Sequence, residues 1–269
     1  MVLNKQKKLF ILFSGELRFF EQNFFSISEN LKDFEKIYLF YPWAKEKNKI
    51  ELFKKYYTKN HIEFIFEHNW NKYIEKIKFP DYAANIPSLF YMWDSLTQSF
   101  LKIKERLADD DVIMRFRSDI IVQSNKLNLN LNKIEDNTLY IPDCYHWNGY
   151  NDQVFLSKVK TLSVFEDFFE FLNSSINNND FICPEYNFYK FIKNKNINVN
   201  FFEFDYQILK NKKLIKNKEL FVNEKKSYIP LKDKINIKVL KLLYKFRNFN
   251  NFYIRKKKRN KTQNLFYEK

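Results

Sequence analysis

The chain has 269 residues, 45% of them hydrophobic, which is enough for one large α/β domain with its own core. Most of its net charge of +15 lies at one end, since residues 232–269 carry thirteen Lys or Arg against two acidic residues. No stretch approaches the ~20 apolar residues of a membrane span, and two cysteines do not make a disulfide framework. We therefore expect a cytoplasmic domain at 1–231 and a basic amphipathic appendage at 232–269 that can lie on the inner face of the cytoplasmic membrane.

The first half of the chain alternates strand-like and helix-like apolar patterns. The predicted elements are strand 8–14, helix 20–31, strand 36–41, helix 45–59, strand 62–67, helix 87–107 and strand 112–116. Such alternation indicates βαβ units, and therefore an α/β fold in which helices flank a mainly parallel sheet.

The second half is less regular. Its predicted elements are strands 138–142 and 153–156, helices 160–172 and 184–193, weak strands 198–204 and 221–228, and a basic helix from residue 232. The polar loops between these elements carry most of the candidate functional residues.

Only two glycines occur in the chain, and each lies in a polar loop beside a predicted strand. Because glycine tolerates positive φ or a close backbone contact, we expect geometry to require both. Gly15 follows Ser14 and precedes Arg18 at the carboxyl end of the first strand, where open α/β sheets bind ligands. The loop is neither GxGxxG nor Walker A, and an ordinary helix-start loop with an exposed arginine fits equally well.

Charged residues alternate at the end of the strand that begins at residue 112. If that strand continues through residue 118, one face presents Arg115, Arg117 and Asp119. Two buried guanidiniums with one carboxylate are unbalanced, and an anionic ligand such as a diphosphate would balance them. The alternative is a strand end whose arginines pair with the acids at 109–111 or on a helix.

The loop that follows strand 138–142 combines aromatic and hydrogen-bonding side chains. Its candidate residues are His146, Trp147, Gly149, Asn151, Asp152 and Gln153. Aromatic faces stack on sugars or bases, and amides and carboxylates bind hydroxyls, so this composition is typical of a sugar site. A plain Asn-Gly turn between two strands is the simpler alternative.

The order of these segments resembles bacterial glycosyltransferases of the GT-A fold from surface-polysaccharide loci, including the WavE-like lipopolysaccharide synthesis group. The resemblance spans about residues 8–195 and depends on five short motifs. They are Ser14-Gly15-Glu16-Leu17-Arg18, a helix with Asn85, Ser88, Met92, Trp93 and Ser95, the strand end Arg115-x-Arg117-x-Asp119, Asn151-Asp152-Gln153, and Pro184-Glu185.

This resemblance implies a Rossmann-like domain that transfers a sugar from a nucleotide-sugar donor to a bacterial surface glycan, either lipopolysaccharide, lipooligosaccharide or capsule, on a lipid carrier. The implied donor-binding residues are Ser14, Gly15, Arg18, Arg115, Arg117 and Asp119, and the implied acceptor-binding residues are Trp147, Asn151 and Gln153. For the acceptor-side base, Asp152 is the first choice, Glu185 the second and His146 the third.

A divalent cation is the cofactor that the resemblance implies. Asp119 matches the last aspartate of the DxD motif that holds Mn²⁺ or Mg²⁺ on the donor diphosphate, but Arg117 replaces the first aspartate. One carboxylate is a small ligand set, although such ions complete their shell with phosphates and water. Metal dependence is therefore open, and Arg115 and Arg117 are the alternative groups that could neutralise the diphosphate.

Other functions fit parts of the sequence. A metal-dependent nuclease or phosphotransferase would use the carboxylates at 109–111 and Asp119, but a nearly neutral body disfavours nucleic acid as a partner. A non-catalytic glycan-binding protein would bind glycan without hydrolysing nucleotide sugars. A zinc site at Cys144, Cys183 and His146 would need a further carboxylate and is disfavoured.

Overall fold

The computed structural model describes residues 8–31, 34–43, 46–56, 61–63, 86–123, 130–144, 146, 149–178, 180–210 and 213–214. Predictions for the strand at 221–228 and the basic segment at 232–269 lie outside these ranges. Among the helices described, none has both the length and the apolar character needed to cross a membrane.

The elements follow the predicted alternation. In chain order they are β1 (Lys8–Gly15), α1 (Phe20–Asn30), β2 (Glu35–Pro42), α2 (Lys47–Tyr56), β3 (His61–Glu63), α3 (Ile86–Lys104), β4 (Val112–Phe116), β5 (Ile120–Val122), β6 (Thr138–Pro142), β7 (Val154–Lys158), α4 (Val159–Leu162), α5 (Phe168–Asn177), α6 (Pro184–Asn194), β8 (Asn198–Phe202), β9 (Tyr206–Lys210) and β10 (Lys213–Leu214). Short 3-10 helices cover Leu131–Lys133 and Ser163–Asp167.

A seven-stranded sheet in the order β3-β2-β1-β4-β7-β6-β8 forms the centre of the fold. All its strands run parallel except β7, which is antiparallel to both β4 and β6. The predicted α/β class with a mainly parallel sheet flanked by helices is therefore confirmed. Because β7 is reversed, its amino end lies at the same edge as the carboxyl ends of β1 and β4.

Helices cover both faces of this sheet, and β1 shows how its sequence divides the core. Phe10 and Leu12 pack with α3, α5 and α6, whereas Leu9, Ile11 and Phe13 pack with α1 and α2 on the other face. A strand buried on both sides has apolar residues at every position, which explains the uninterrupted run in β1. The predicted apolar stripe of α3, comprising Leu89, Trp93, Leu96, Phe100 and Ile103, is buried as expected.

Two parts of the chain differ from prediction. The helix expected at 160–172 is divided into α4, a 3-10 segment and α5, and the buried rings of Phe165 and Phe168 lie on either side of the junction between the last two. A second, antiparallel sheet in the order β10-β9-β5 was not predicted. Its strand β9 supplies a residue to the candidate site.

Candidate active site

Gly15 ends β1 in a conformation that favours glycine, with a φ of 82°. Its carbonyl accepts a hydrogen bond from the Trp43 backbone N–H at 3.0 Å, and a Cβ at this position would lie 3.4 Å from Trp43 Nε1. The requirement for glycine is therefore mainly conformational. Ser14, the residue before Gly15, is half-buried. After Gly15, Arg18 is exposed and pairs with Glu16, with 2.6 Å between Arg18 Nε and Glu16 Oε2.

The loop that follows β4 is hydrogen-bonded to both of its neighbours. Arg117 donates its backbone N–H to the Gln153 carbonyl at 3.0 Å, and the Arg117 carbonyl accepts from Asn23 Nδ2 at 2.8 Å. Ser118 Oγ donates to the Glu16 carbonyl at 2.7 Å. The loops after β1 and β4 and the loop before β7 therefore form one continuous edge.

Arg117 and Asp119 form a bidentate ion pair in this edge. The Nε–Oδ1 and Nη2–Oδ2 distances are both 2.8 Å. The strand ends at Phe116, as predicted, so the condition that it continues through residue 118 is not met, and a turn returns Asp119 to Arg117. Burial alone would lower the pKa of Arg117, but the charge and hydrogen bonds of Asp119 outweigh it and raise that pKa.

Arg115 is the most buried charge of the site, with 1% of its surface exposed. Its Nη1 donates to the backbone carbonyl of Asp152, and its guanidinium lies 5.6 Å from the centre of the Phe155 ring. Nε is buried without a hydrogen-bond acceptor among the described residues. Burial lowers the pKa of Arg115 to about 10, so the side chain remains a cation at neutral pH.

Asp152 brings a second carboxylate to the arginines, with 3% of its surface exposed. Burial raises its pKa, although the charges of Arg115 and Arg117 act in the opposite direction. The expected imbalance of two guanidiniums against one carboxylate is therefore wrong, because the loop before β7 supplies a second carboxylate from another part of the chain. A carboxylate with a raised pKa is also a stronger base than an ordinary aspartate.

Gly149 is required for a different reason than Gly15. A Cβ at this position would lie 1.9 Å from the Glu185 carbonyl oxygen, so only glycine allows the loop to reach the start of α6. The adjacent Tyr150 N–H donates to the same carbonyl at 3.0 Å. Residues 143–153 separate β6 from β7, so the connection between these strands is longer than a two-residue hairpin turn.

The side chain of Asn151 is fully buried and holds this loop in place. Its Nδ2 donates to the Cys144 carbonyl and to Tyr206 Oη, both at 2.8 Å. Its Oδ1 accepts the backbone N–H groups of Gln153 at 2.9 Å and Val154 at 3.4 Å. Since both ends of the amide are engaged inside the protein, Asn151 positions the loop.

His146 also contributes to the loop. Its Nδ1 accepts the Asn151 backbone N–H at 3.1 Å, which places the proton of the neutral ring on Nε2. Burial lowers the pKa of His146 to about 4. Trp147, the aromatic residue predicted to contact sugar, lies outside the described residues.

Glu185 lies in the first turn of α6, beside the buried thiol of Cys183. Cys183 Sγ donates to Glu185 Oε2 at 3.2 Å, and burial raises the pKa of this thiol, helped by the charges of Glu185 and Asp152. The negative charges of Glu185 and Asp152 therefore both act on the Cys183 thiol. The structure thus brings the first and second choices for the base into one neighbourhood.

Tyr206 is a site residue that sequence analysis missed. Its hydroxyl donates to Gln153 Oε1 at 3.2 Å and accepts from Asn151, and its ring is 1% exposed. It reaches the site because β9 pairs with β5, directly after the Arg117 turn. No local pattern around residue 206 indicates this position.

The carboxylates needed by a metal-dependent nuclease are not assembled. Asp110 lies before β4 and pairs with Lys158 at 2.9 Å, and Asp111 accepts the Ala108 N–H at 2.9 Å. Asp119 lies beyond the opposite end of the same strand. That predicted four-aspartate site is therefore wrong.

A divalent cation does not fit the donor groups that the structure describes. Both oxygens of Asp119 are engaged by Arg117. Within the described ranges, no group of three or more His, Cys, Asp or Glu side chains could hold a metal ion. Cys144, Cys183 and His146 therefore do not form a zinc site among the described residues.

The chain matches no protein-family model and no curated protein. Solved structures that overlap with it include the galactosyltransferase LgtC in complex with donor and acceptor sugar analogs, at 13% identity and a TM-score of 0.47, covering 72% of each chain. GlyE from Streptococcus pneumoniae TIGR4 overlaps at 11% identity and a TM-score of 0.47, covering 72% of this chain and 45% of its own. Mouse xyloside xylosyltransferase 1 overlaps at 8% identity and a TM-score of 0.46, covering 73% of this chain and 85% of its own. At these levels of similarity, function has to be inferred from the side chains of the site.

Proposed function

We propose that the chain is a glycosyltransferase that transfers a sugar from a nucleotide-sugar donor. The observation that carries this proposal is the position of Arg115 and Arg117 beside Asp152, at the edge of the sheet where β1 and β4 end. Burial raises the pKa of the Asp152 carboxyl, which makes its carboxylate a stronger base. Sugar transfer requires both kinds of group, since the leaving diphosphate gains negative charge while the attacking hydroxyl loses a proton.

The arginines have hydrogen-bonding capacity for a diphosphate. A guanidinium carries five N–H donors. Asp119 accepts two from Arg117, so three N–H groups of Arg117 have no acceptor among the described residues, and 32% of its side chain is exposed. Arg115 is only 1% exposed and would act on the diphosphate through its charge. The exposed Arg18 guanidinium and the Ser14-Gly15 backbone would complete the donor site from the β1 loop.

On the acceptor side, Asp152 is the base that we propose. Glu185 is the second choice, because its charge and that of Asp152 both act on the buried Cys183 thiol. His146 is the third, since its Nδ1 already accepts a backbone N–H and its pKa is low. Gln153 and Trp147 are the proposed sugar contacts, and Asn151 acts by holding their loop.

The acceptor that we propose is a bacterial surface glycan, lipopolysaccharide, lipooligosaccharide or capsule, on a lipid carrier. The support is the motif resemblance together with the basic, apolar-striped composition of residues 232–269. A protein acting on such an acceptor would work peripherally on the inner face of the cytoplasmic membrane.

A thermal-shift screen of UDP, GDP, CDP and CMP sugars, with donor hydrolysis as a second readout, tests the proposal. A donor at about 100 times its dissociation constant should stabilise the native chain by about 2.7 kcal/mol. Arg117→Gln should lose this stabilisation, whereas Lys102→Gln, which removes an exposed cation from α3, should keep it. If no donor binds but glycans do, the chain is a glycan-binding protein and the proposal is wrong.

A further inference from the structure

We propose that the Arg117–Asp119 pair takes the place of a metal ion, so that the donor diphosphate binds without a divalent cation. This inference rests on the proposed function. It assigns the neutralising charge to a side chain and gives Asp119 the role of a positioning residue, which orients Arg117 without touching phosphate.

The first support is that both carboxylate oxygens of Asp119 already accept hydrogen bonds from Arg117. A cation that bound its carboxylate would compete with two charge-assisted hydrogen bonds of 2.8 Å, one on each oxygen. It would also leave Arg117, whose side chain is only 32% exposed, without its counterion. Both changes oppose metal binding before any other ligand is considered.

The second support is the charge around Asp152, the other carboxylate that interacts with both arginines. Asp152 experiences the positive charges of both Arg115 and Arg117. A divalent cation placed to share Asp119 and Asp152 would therefore face two guanidiniums at short range. The two carboxylates already balance the two guanidiniums, so a divalent cation would add unbalanced positive charge to this cluster.

The third support is that Arg117 is both fixed and accessible. Asp119 fixes the plane of its guanidinium, and Asn23 and Gln153 hold its backbone. Three of its N–H donors remain for a ligand, and about a third of the side chain reaches solvent. A guanidinium held in this way matches the bidentate geometry of phosphate oxygens with little entropy left to lose.

Calorimetric titration of UDP, GDP and CDP into the full chain, in EDTA and in Mn²⁺, tests the inference. The nucleotide that binds should have the same dissociation constant within about twofold in both buffers. Arg117→Lys keeps the positive charge but loses the planar guanidinium that donates two parallel hydrogen bonds. It should weaken binding in EDTA by about tenfold or more, equivalent to about 1.4 kcal/mol. Lys102→Gln should bind as the native chain does.

The outcomes separate the inference from the function on which it rests. Binding that appears only with Mn²⁺ would overturn the inference and leave the glycosyltransferase proposal intact. If UDP, GDP and CDP bind in neither buffer, the inference is wrong, and the glycosyltransferase proposal then stands only if a CMP sugar binds in the thermal-shift screen. Because the comparison of EDTA with Mn²⁺ uses the native chain, it remains decisive even if a variant does not fold.

Discussion

The backbone of Gly149 packs directly on the backbone of Glu185, so that a Cβ on Gly149 would lie 1.9 Å from the Glu185 carbonyl oxygen and 2.3 Å from the Tyr186 nitrogen. This contact joins the loop before β7 to the first turn of α6. The loop carries Asp152 and the helix carries Glu185, so the contact sets the distance between the two proposed acceptor-side carboxylates.

Gly149→Ala should therefore disturb both stability and the site. Backbone atoms cannot yield as a flexible side chain would, and we expect a loss of about 2–4 kcal/mol in the free energy of unfolding. Gly15→Ala should cost less, about 1–2 kcal/mol, because its strain comes mainly from φ. Urea denaturation of both variants measures the difference. Native stability in Gly149→Ala would contradict the close contact.

The free energy of unfolding should depend on pH because His146 is buried. Burial lowers its pKa in the folded chain to about 4, whereas the unfolded chain titrates near the ordinary value of 6.5. Between these values the unfolded state binds more protons, so the contribution is fully present above pH 6.5 and is lost as the pH falls towards 4. The native chain should lose about 2 kcal/mol more than His146→Asn over this window in urea denaturation. Equal losses would contradict the assignment.

Much of the fold could be predicted because each strand carries its own signal. The apolar run of β1 and the stripe of α3 are local patterns, and both elements lie within a few residues of their predicted bounds. The second sheet could not be predicted, since β5 has only three residues and β9 is defined by pairing with it across the chain.

The site shows the same limit. The sequence places Arg115 and Arg117 two residues apart at the end of β4, and the two charges interact. The position of Asp152, however, depends on the antiparallel register of β7 against β4, in which Phe116 pairs with Val154. That register is set by tertiary packing and leaves no trace around residue 152. The pairing of Arg117 with Asp119 likewise depends on where β4 ends.

Asp119→Ala should abolish transfer and most nucleotide-dependent stabilisation while the chain stays folded. The physical reason is that Arg117 loses the partner that fixes its guanidinium. We expect turnover to fall by about a hundredfold or more, in EDTA and in Mn²⁺ alike. Asp110→Ala, which breaks an exposed pair at the other end of β4, is the matched control and should retain activity. Global unfolding of Asp119→Ala by circular dichroism would instead indicate a structural ion pair.

The basic segment, which lies outside the described residues, gives a separate prediction. Residues 232–269 combine an apolar stripe with thirteen Lys or Arg, and each well-placed cation is worth about 1 kcal/mol at an anionic membrane surface. Deleting the segment should weaken binding to anionic vesicles and lower activity on lipid-linked acceptor, while donor hydrolysis persists. Unchanged vesicle binding would exclude the membrane role, and failure to fold would show that the stripe belongs to the core.

Asp152→Asn should reduce turnover far more than donor affinity. The swap keeps the shape of the side chain and leaves the Arg115 hydrogen bond, which goes to the Asp152 backbone carbonyl. It removes proton acceptance together with the negative charge that faces Arg115 and Arg117. Losing that charge does not weaken the binding of an anionic donor, so kcat should fall by about 10²–10⁴-fold while the dissociation constant of the donor rises by about threefold at most.

The pH profile distinguishes this role from a structural one. A base must be deprotonated, and burial raises the pKa of Asp152, so native kcat/KM should fall on the acid side at a pH above the range of an ordinary aspartate. That acid limb should disappear from the residual activity of Asp152→Asn. Glu185→Gln is the matched comparison, since it removes the neighbouring carboxylate at the start of α6. If Asp152→Asn keeps near-native turnover while Glu185→Gln loses both turnover and the acid limb, the base is Glu185.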